Sequence, residues 1–207
     1  MRAPARADLT GRARLRQAAL ELFAEHGFEA TSTRAVAAAA GLSPALVTRH
    51  FGSKEGLRAA VDEYVLDRMT EALRGLAAEG AEKRDLMTSL GEVSARLFGS
   101  DPVLRGYLRH ALLEDGGTGA ALFGHLLRGA RRELRRLSEL HGGQAPPDDA
   151  WAPFQILFLI LGPLLLEPVM QPNLEEPLFA PEVLARRSAA NQRLLLRGLY
   201  GYPEEET

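Results

Sequence analysis

The sequence predicts an all-α protein, and three observations carry that expectation. Leu15, Ala18, Ala19, Leu22 and Phe23 recur at i, i+3, i+4, i+7 and i+8, the spacing of one helix face. Two short helical stretches follow, with Val36, Ala37 and Ala40 on a face of the first and Leu46, Val47, His50 and Phe51 on a face of the second. Between them stands Gly41-Leu42-Ser43-Pro44, in which a glycine ends one helix and a serine cap with a first-position proline opens the next. Nowhere does a β-strand stand out, and no internal repeat is visible.

The elements are expected in this order. Residues 1–8 form a disordered basic arm, and the first helix runs from about Leu9 to His26, ended by Gly27 with Phe28 packing back. After the pair around Gly41, a long helix begins near Ser53 and continues to about Ala78. The polar stretch Glu79–Arg84 separates it from a helix with Leu86, Leu90, Val93 and Leu97 on one face. Asp101-Pro102, a cap and a first-position proline, opens a helix ending near Asp115. Gly116–Gly119 reads as a loop, and it lacks the preceding strand and following Lys-Ser/Thr that a phosphate cradle needs. A helix from about Ala120 to His141 carries a basic row, Arg128, Arg131, Arg132, Arg135 and Arg136, whose plainest reading is a solvated face; an anionic ligand or a second DNA contact is the sharper one.

Gly142–Pro147 is a loop, and Asp148 and Asp149 can cap the next helix. That helix, with Trp151, Phe154, Ile156–Leu161 and Leu164–Leu166, is apolar nearly all round and is expected to be buried nearly all round, with a kink at Pro163. Glu167–Pro181, with four prolines, reads as an irregular link. A last helix spans about Glu182 to Tyr200, and the acidic tail Pro203–Thr207 frays. The total is about nine helices.

Bulk properties narrow the function. The 207 residues, 46% hydrophobic, can build one large domain or two small ones. Residues 1–60 carry nine Arg or Lys against five Asp or Glu, whereas residues 61–207 carry sixteen against twenty-two. A basic end on an acidic body suits contact with nucleic acid through that end. The absence of cysteine removes disulfides, thiolate chemistry and cysteine metal sites. The first sixteen residues are polar with five Arg, unlike a signal peptide, and the longest apolar run, Ile156–Leu166, reads as too short to span a bilayer. A soluble cytoplasmic protein is expected. The five histidines, at 26, 50, 110, 125 and 141, form no HxxxH pair, and Ser43 lacks the strand and second glycine of a nucleophile elbow. Neither an enzyme nor a cofactor is expected.

The outer side of the second short helix, Ala45, Thr48 and Arg49, is small, hydroxylated and basic, while its inner side is tied to a partner helix. Such a helix suits a DNA major groove. Lys54 adds to this. It is one of only two lysines, against 23 arginines, and stands at a helix N-terminus, where a cation opposes the helix dipole unless an anion docks there.

These residues carry a resemblance. Gly27-Phe28, Thr31-Ser32, Arg34, Val36-Ala37, Ala40-Gly41-Leu42-Ser43, His50-Phe51, Ser53-Lys54-Glu55 and Leu57 resemble the DNA-binding segment of the TetR (tetracycline-repressor-like) family of transcriptional regulators. The resemblance is specific from about Leu15 to Leu57; beyond that only length and helical character agree. Two positions depart from it. Ala45 stands where the family commonly has Gly, and Thr48 stands where it commonly has a phosphate-contacting Tyr, so the clamp is expected to lean on His50 and Lys54.

The resemblance implies a three-helix helix-turn-helix domain over residues 1–52 and a helical ligand-binding and dimerisation domain over 53–207. It implies a homodimeric repressor that binds a palindromic operator in double-stranded DNA and is released by a small-molecule effector. The competing reading is a helical carrier or interaction protein with an architectural helix-turn-helix. DNA-contacting residues are expected at Thr31, Ser32, Thr33, Arg34, Ser43, Pro44, Ala45, Thr48, Arg49, His50 and Lys54. Arg34 is expected to meet phosphate and Arg49 a base, guanine being the one its fork matches. An apolar or aromatic effector is expected among Tyr107, His110, Phe123, Trp151, Gln155 and Phe158. The dimer seam is expected to include Phe158, Leu161, Leu165, Ala189, Leu194, Leu195 and Leu199.

Overall fold

A computed structural model describes residues 11–78, 94–99, 101–114, 117–140 and 150–200. All regular structure among them is helical. The helices are α1 (Gly11–His26), α2 (Thr33–Ala39), α3 (Pro44–Phe51), α4 (Lys54–Ala78), α5 (Pro102–Leu113), α6 (Gly117–Leu140), α7 (Ala152–Met170) and α8 (Pro181–Tyr200), with a π-helical turn at Ala95–Gly99 and a 3-10 turn at Gln171–Asn173. The basic arm, the Leu86–Val93 face, the Gly142–Pro147 loop, the Asp148 and Asp149 caps and the acidic tail lie outside the described residues.

The chain forms two compact units. The first comprises Met1–Thr70 with Asp101–Gly119, and the second Glu71–Ser100 with Ala120–Thr207. The first therefore extends past residue 52 and takes in α5.

In the first unit, α1 packs against α5, α2 and α3. Leu15, Ala18, Ala19 and Phe23 are buried on α1 as their spacing requires, and Leu20 joins them. Asp101 caps α5, its Oδ1 accepting from the Leu104 amide at 2.9 Å, with Pro102 next to it. The expected loop at Gly116–Gly119 is corrected: Gly117–Gly119 form the first turn of α6. The physical reason is close packing, since a Cβ on Gly119 would overlap the Ala111 carbonyl oxygen of α5.

In the second unit, α7 buries Ile156, Leu157, Ile160, Leu161 and Leu164. The helix runs unbroken through Pro163 and Pro168 to Met170, so Glu167–Met170 is helix where a link is expected. Its burial is one-sided. Trp151, at the N-cap, and Phe158, Leu166 and Val169, on the helix, are 52–64% exposed. With the 3-10 turn the segment Ala152–Asn173 is long and apolar enough to cross a membrane by length and composition, where the sequence suggests too short a run. Two internal prolines and the buried side against its own chain fit a core helix with one uncovered face. On α6, Arg128, Arg131, Arg132 and Arg135 are exposed, as a solvated row is; the Arg136 side chain lies outside the description.

Candidate nucleic-acid interface

The site is built by two tight turns in the first unit. At the first, Gly27 ends α1 by donating its amide to Phe23 O at 3.0 Å. Thr31 then folds inward. It is 3% exposed, and its hydroxyl donates to Gly27 O at 2.8 Å. Thr31 is thereby corrected from a surface contact to a support for the turn. Ser32 is the N-cap of α2, its hydroxyl accepting from the Ala35 amide at 3.1 Å, and the half-buried Thr33 and the exposed Arg34 follow in the first turn.

The second turn is a two-bond helix stop. Leu42 N donates to Ala37 O and Gly41 N to Ala38 O, both at 2.9 Å, with Gly41 at φ +64°. This pairing satisfies the last carbonyls of α2 and requires a left-handed residue, which glycine supplies without a Cβ clash. Arg14 of α1 adds a charge that the sequence pattern did not single out: its Nη2 donates to Ala40 O at the C-terminal end of α2, where a cation is favoured. The signal available in sequence was only a basic residue on an amphipathic helix, whose target lies 26 positions away.

The turn sets α3 so that Val47 is buried, Leu46 and Phe51 are half-buried, and Ser43, Pro44, Ala45, Thr48, Arg49 and His50 are exposed. His50 is thus corrected from the packed face to the outer face. Ser43 holds the N-cap backbone conformation without a side-chain capping bond, because its carbonyl accepts from Leu46 N at 3.0 Å. Its hydroxyl is therefore not committed to capping the helix.

Lys54 opens α4, but it is not the misplaced cation that its position in the sequence suggests. Its Nζ lies 4.2 Å from the centre of the Phe28 ring and donates to Glu29 O at 3.2 Å. Arg58, one turn on, lies 4.6 Å from the same ring and pairs with Glu114 at 2.9 Å. Phe28 is thus bracketed by two cations of α4, a contact worth roughly 0.5–2 kcal/mol apiece. Glu55 is exposed, and hydrogen bonds from the backbone and Ser53, with Lys54 beside it, hold its carboxyl below the usual carboxylate range. The first turn of α4 lies tight against α3, since a Cβ on Gly56 would overlap the Phe51 carbonyl oxygen.

The residues expected to line an effector pocket divide between the units. In the first, Tyr107 is buried and its hydroxyl donates to Asp62; burial foremost, then that bond, push its phenol above the ordinary range. His110 lines a small cleft with Phe23, Phe28, Arg58, Tyr107, Ala111 and Glu114. In the second, Phe123 stacks with Phe154 at 6.2 Å, and Trp151 tilts onto Phe154 at 5.7 Å. Gln155 and Phe158 are exposed, so with Trp151 they are corrected from pocket lining to surface. Of the expected seam, Phe158 and Leu194 are exposed, Leu165 and Ala189 are half-buried, and Leu161 and Leu195 are buried in their own chain. The Leu199 side chain lies outside the description. Among the described residues no cluster of His, Asp or Glu could hold a metal.

Comparison with known proteins agrees with this geometry. Residues 15–61 match the model of the bacterial regulatory proteins of the tetR family. The HTH-type transcriptional regulatory protein RaaS of Mycobacterium tuberculosis is 39% identical over 128 residues, 62% of this chain and 57% of that protein, so the chain spans little more than half of that relative. The HTH-type transcriptional repressor AcnR of Corynebacterium glutamicum is 30% identical over 135 residues, 60% of this chain and 71% of that protein. The crystal structure of PfmR, a TetR family transcriptional regulator from Thermus thermophilus, superposes with a TM-score of 0.63 at 26% identity, over 92% of this chain and 98% of that one. The chain belongs to the tetR family of bacterial regulatory proteins.

Proposed function

We propose that the protein is a cytoplasmic, homodimeric transcriptional repressor that reads a palindromic operator with α3 and is released by a small-molecule effector. One observation carries the DNA reading. Ala45, Thr48 and Arg49 stand exposed on a helix whose opposite side is anchored by Val47 and whose entry is fixed by the Gly41 turn. A rigidly seated helix with a small, hydroxylated and basic outer side can enter a major groove. A purely architectural helix-turn-helix has no need of that side. Ser32, Thr33, Arg34, Ser43, Pro44, His50 and Lys54 would flank it as phosphate or groove contacts. AcnR, a repressor by name, favours repression over activation.

Dimerisation would close the uncovered side of α7. Trp151, Gln155, Phe158, Gly162, Leu166 and Val169 recur at spacings of four and three, a single stripe, and a Cβ on Gly162 would meet open space. With Leu194 of α8 this apolar surface fits a second copy across a two-fold axis, which also brings two reading heads to two half-sites. The effector would be held among the apolar side chains of the second unit, and would act only by favouring a head spacing that does not fit DNA.

A gel shift with DNA upstream of the protein's own coding sequence tests the reading. Retardation by the native protein, competed by that DNA and not by random DNA, is expected. Equal competition by both would leave only general polyanion binding.

A further inference from the structure

We propose that Arg187 is the counter-charge for a carboxylate on an otherwise apolar effector, bound in the second unit beside Phe98 and Phe179. The proposal rests on the reading that this unit holds the effector, and it adds the effector's chemical class.

Leu184, Arg187, Ser188, Asn191 and Leu195 share one side of α8, at i, i+3, i+4, i+7 and i+11. Leu184 and Leu195 are buried, so this is the core side of the helix. Arg187 is the cation on it. Its guanidinium carbon lies 5.4 Å from the centre of the Phe179 ring, and that ring meets Phe98 edge-on at 6.4 Å, both rings being buried. The Nη1 atom is buried without a hydrogen-bond partner. Burial pushes the guanidinium pKa below its ordinary value. The guanidinium is half-buried and already rests on the Phe179 ring, so what it lacks is an acceptor for Nη1, and its planar fork matches a carboxylate bidentately.

An independent feature lies at the same place. Phe98 is delivered by the π-helical turn Ala95–Gly99, and a Cβ on Gly99 would stand 3.2 Å from Leu184 Cδ1. Single π turns are rare and concentrate at functional sites. A carboxylate from a second copy is the competing source of charge. The core-side position of Arg187 argues against it, because Glu182, Arg186, Arg193 and Leu194 occupy the exposed sides of the helix.

The test uses the full chain, thermal shift and calorimetry, with octanoate, decanoate and dodecanoate and the alcohols of equal length. At least one acid should bind about tenfold or more tightly than its alcohol, the usual scale of a charge-assisted hydrogen bond. Arg187→Met should erase that preference and leave alcohol binding unchanged; Arg187→Lys should keep part of it. Ligand-free Arg187→Met should melt no more than about 4 °C below the native protein, the scale of losing one cation–π contact. Equal response to acid and alcohol at every length overturns the proposal. So does a larger fall in the melting temperature of the ligand-free Arg187→Met protein, which would mean an internal acidic partner, or loss of its dimer in sedimentation, which would mean a partner's carboxylate. Operator release is scored separately by gel shift. An acid that binds through Arg187 yet leaves DNA bound supports this site and counts against induction alone.

Discussion

The Phe28 amide donates to Glu114 Oε1 at 3.3 Å, across 86 positions of sequence. The other oxygen of the same carboxylate takes Arg58, and Arg58 in turn lies over the Phe28 ring. One half-buried carboxylate thereby ties the end of α5 to the turn before α2 and to α4. Glu114→Ala should cost about 1–3 kcal/mol, because it leaves the part-buried Phe28 amide without its acceptor and Arg58 with only the longer pairing to Asp62 at 4.0 Å. Urea denaturation measures this. DNA affinity should fall with it while base preference is kept, and an unchanged unfolding midpoint would show the tie to be inert.

Gly56→Ala tests sign as well as size. Helix propensity alone would stabilise α4 by about 1 kcal/mol. The overlap with the Phe51 carbonyl oxygen reverses this, and a net loss of about 1–3 kcal/mol is expected. A raised melting temperature would show that α3 and α4 can separate without cost.

Arg49 and Lys54 should fail differently. Arg49→Ala should lose about 1–3 kcal/mol of discrimination at one base pair, read by competition between operator variants. Lys54→Ala should weaken binding to all sequences alike and reduce the salt slope by about 1. It should also lower stability by roughly 0.5–1 kcal/mol, since the same ammonium covers Phe28. A salt slope identical to native would remove Lys54 from the phosphate contacts.

Tyr107 sets a pH dependence at the alkaline end. Its folded pKa is raised above the ordinary value of 10.0 by burial and by its bond to Asp62. The stability this confers is complete below pH 10 and declines as pH rises from there toward the folded value, because the unfolded chain loses the proton first. Tyr107→Phe should remove that decline, leaving a flatter profile of urea midpoint against pH. Identical slopes in both proteins would assign the alkaline loss to other groups.

Phe158→Glu should shift the protein toward monomer in sedimentation and weaken operator binding, with the melting of each subunit little changed, since the residue is 60% exposed in its own chain. A dimer as tight as native would move the interface off α7.

Much of this was legible in sequence where the chemistry is local. The caps at Ser43-Pro44 and Asp101-Pro102 and the stop at Gly41 place helix ends from a few neighbouring residues. Long-range pairings were not legible. Lys54 reads as a stranded cation until Phe28, 26 positions earlier, is brought beneath it. Thr31 looks like a surface hydroxyl until the turn folds it onto Gly27 O. Gly117–Gly119 has the composition of a loop, and only the carbonyl of Ala111 explains why the helix there must do without a side chain at Gly119. Phe158 and Leu161 look alike in an apolar run, and packing puts the first at the surface and the second inside.

Gly106 belongs to the same class of contact, and it bears on how motion can pass through the first unit. A Cβ there would stand 2.6 Å from the Ala24 carbonyl oxygen, so α5 rests on α1 backbone to backbone. Backbone contacts of this kind have no rotamers to hop between and no slack to give up. A displacement of α5 cannot be damped by a side chain swinging aside at this point. It must either be passed whole to α1, and so to the turns that aim α3, or be refused.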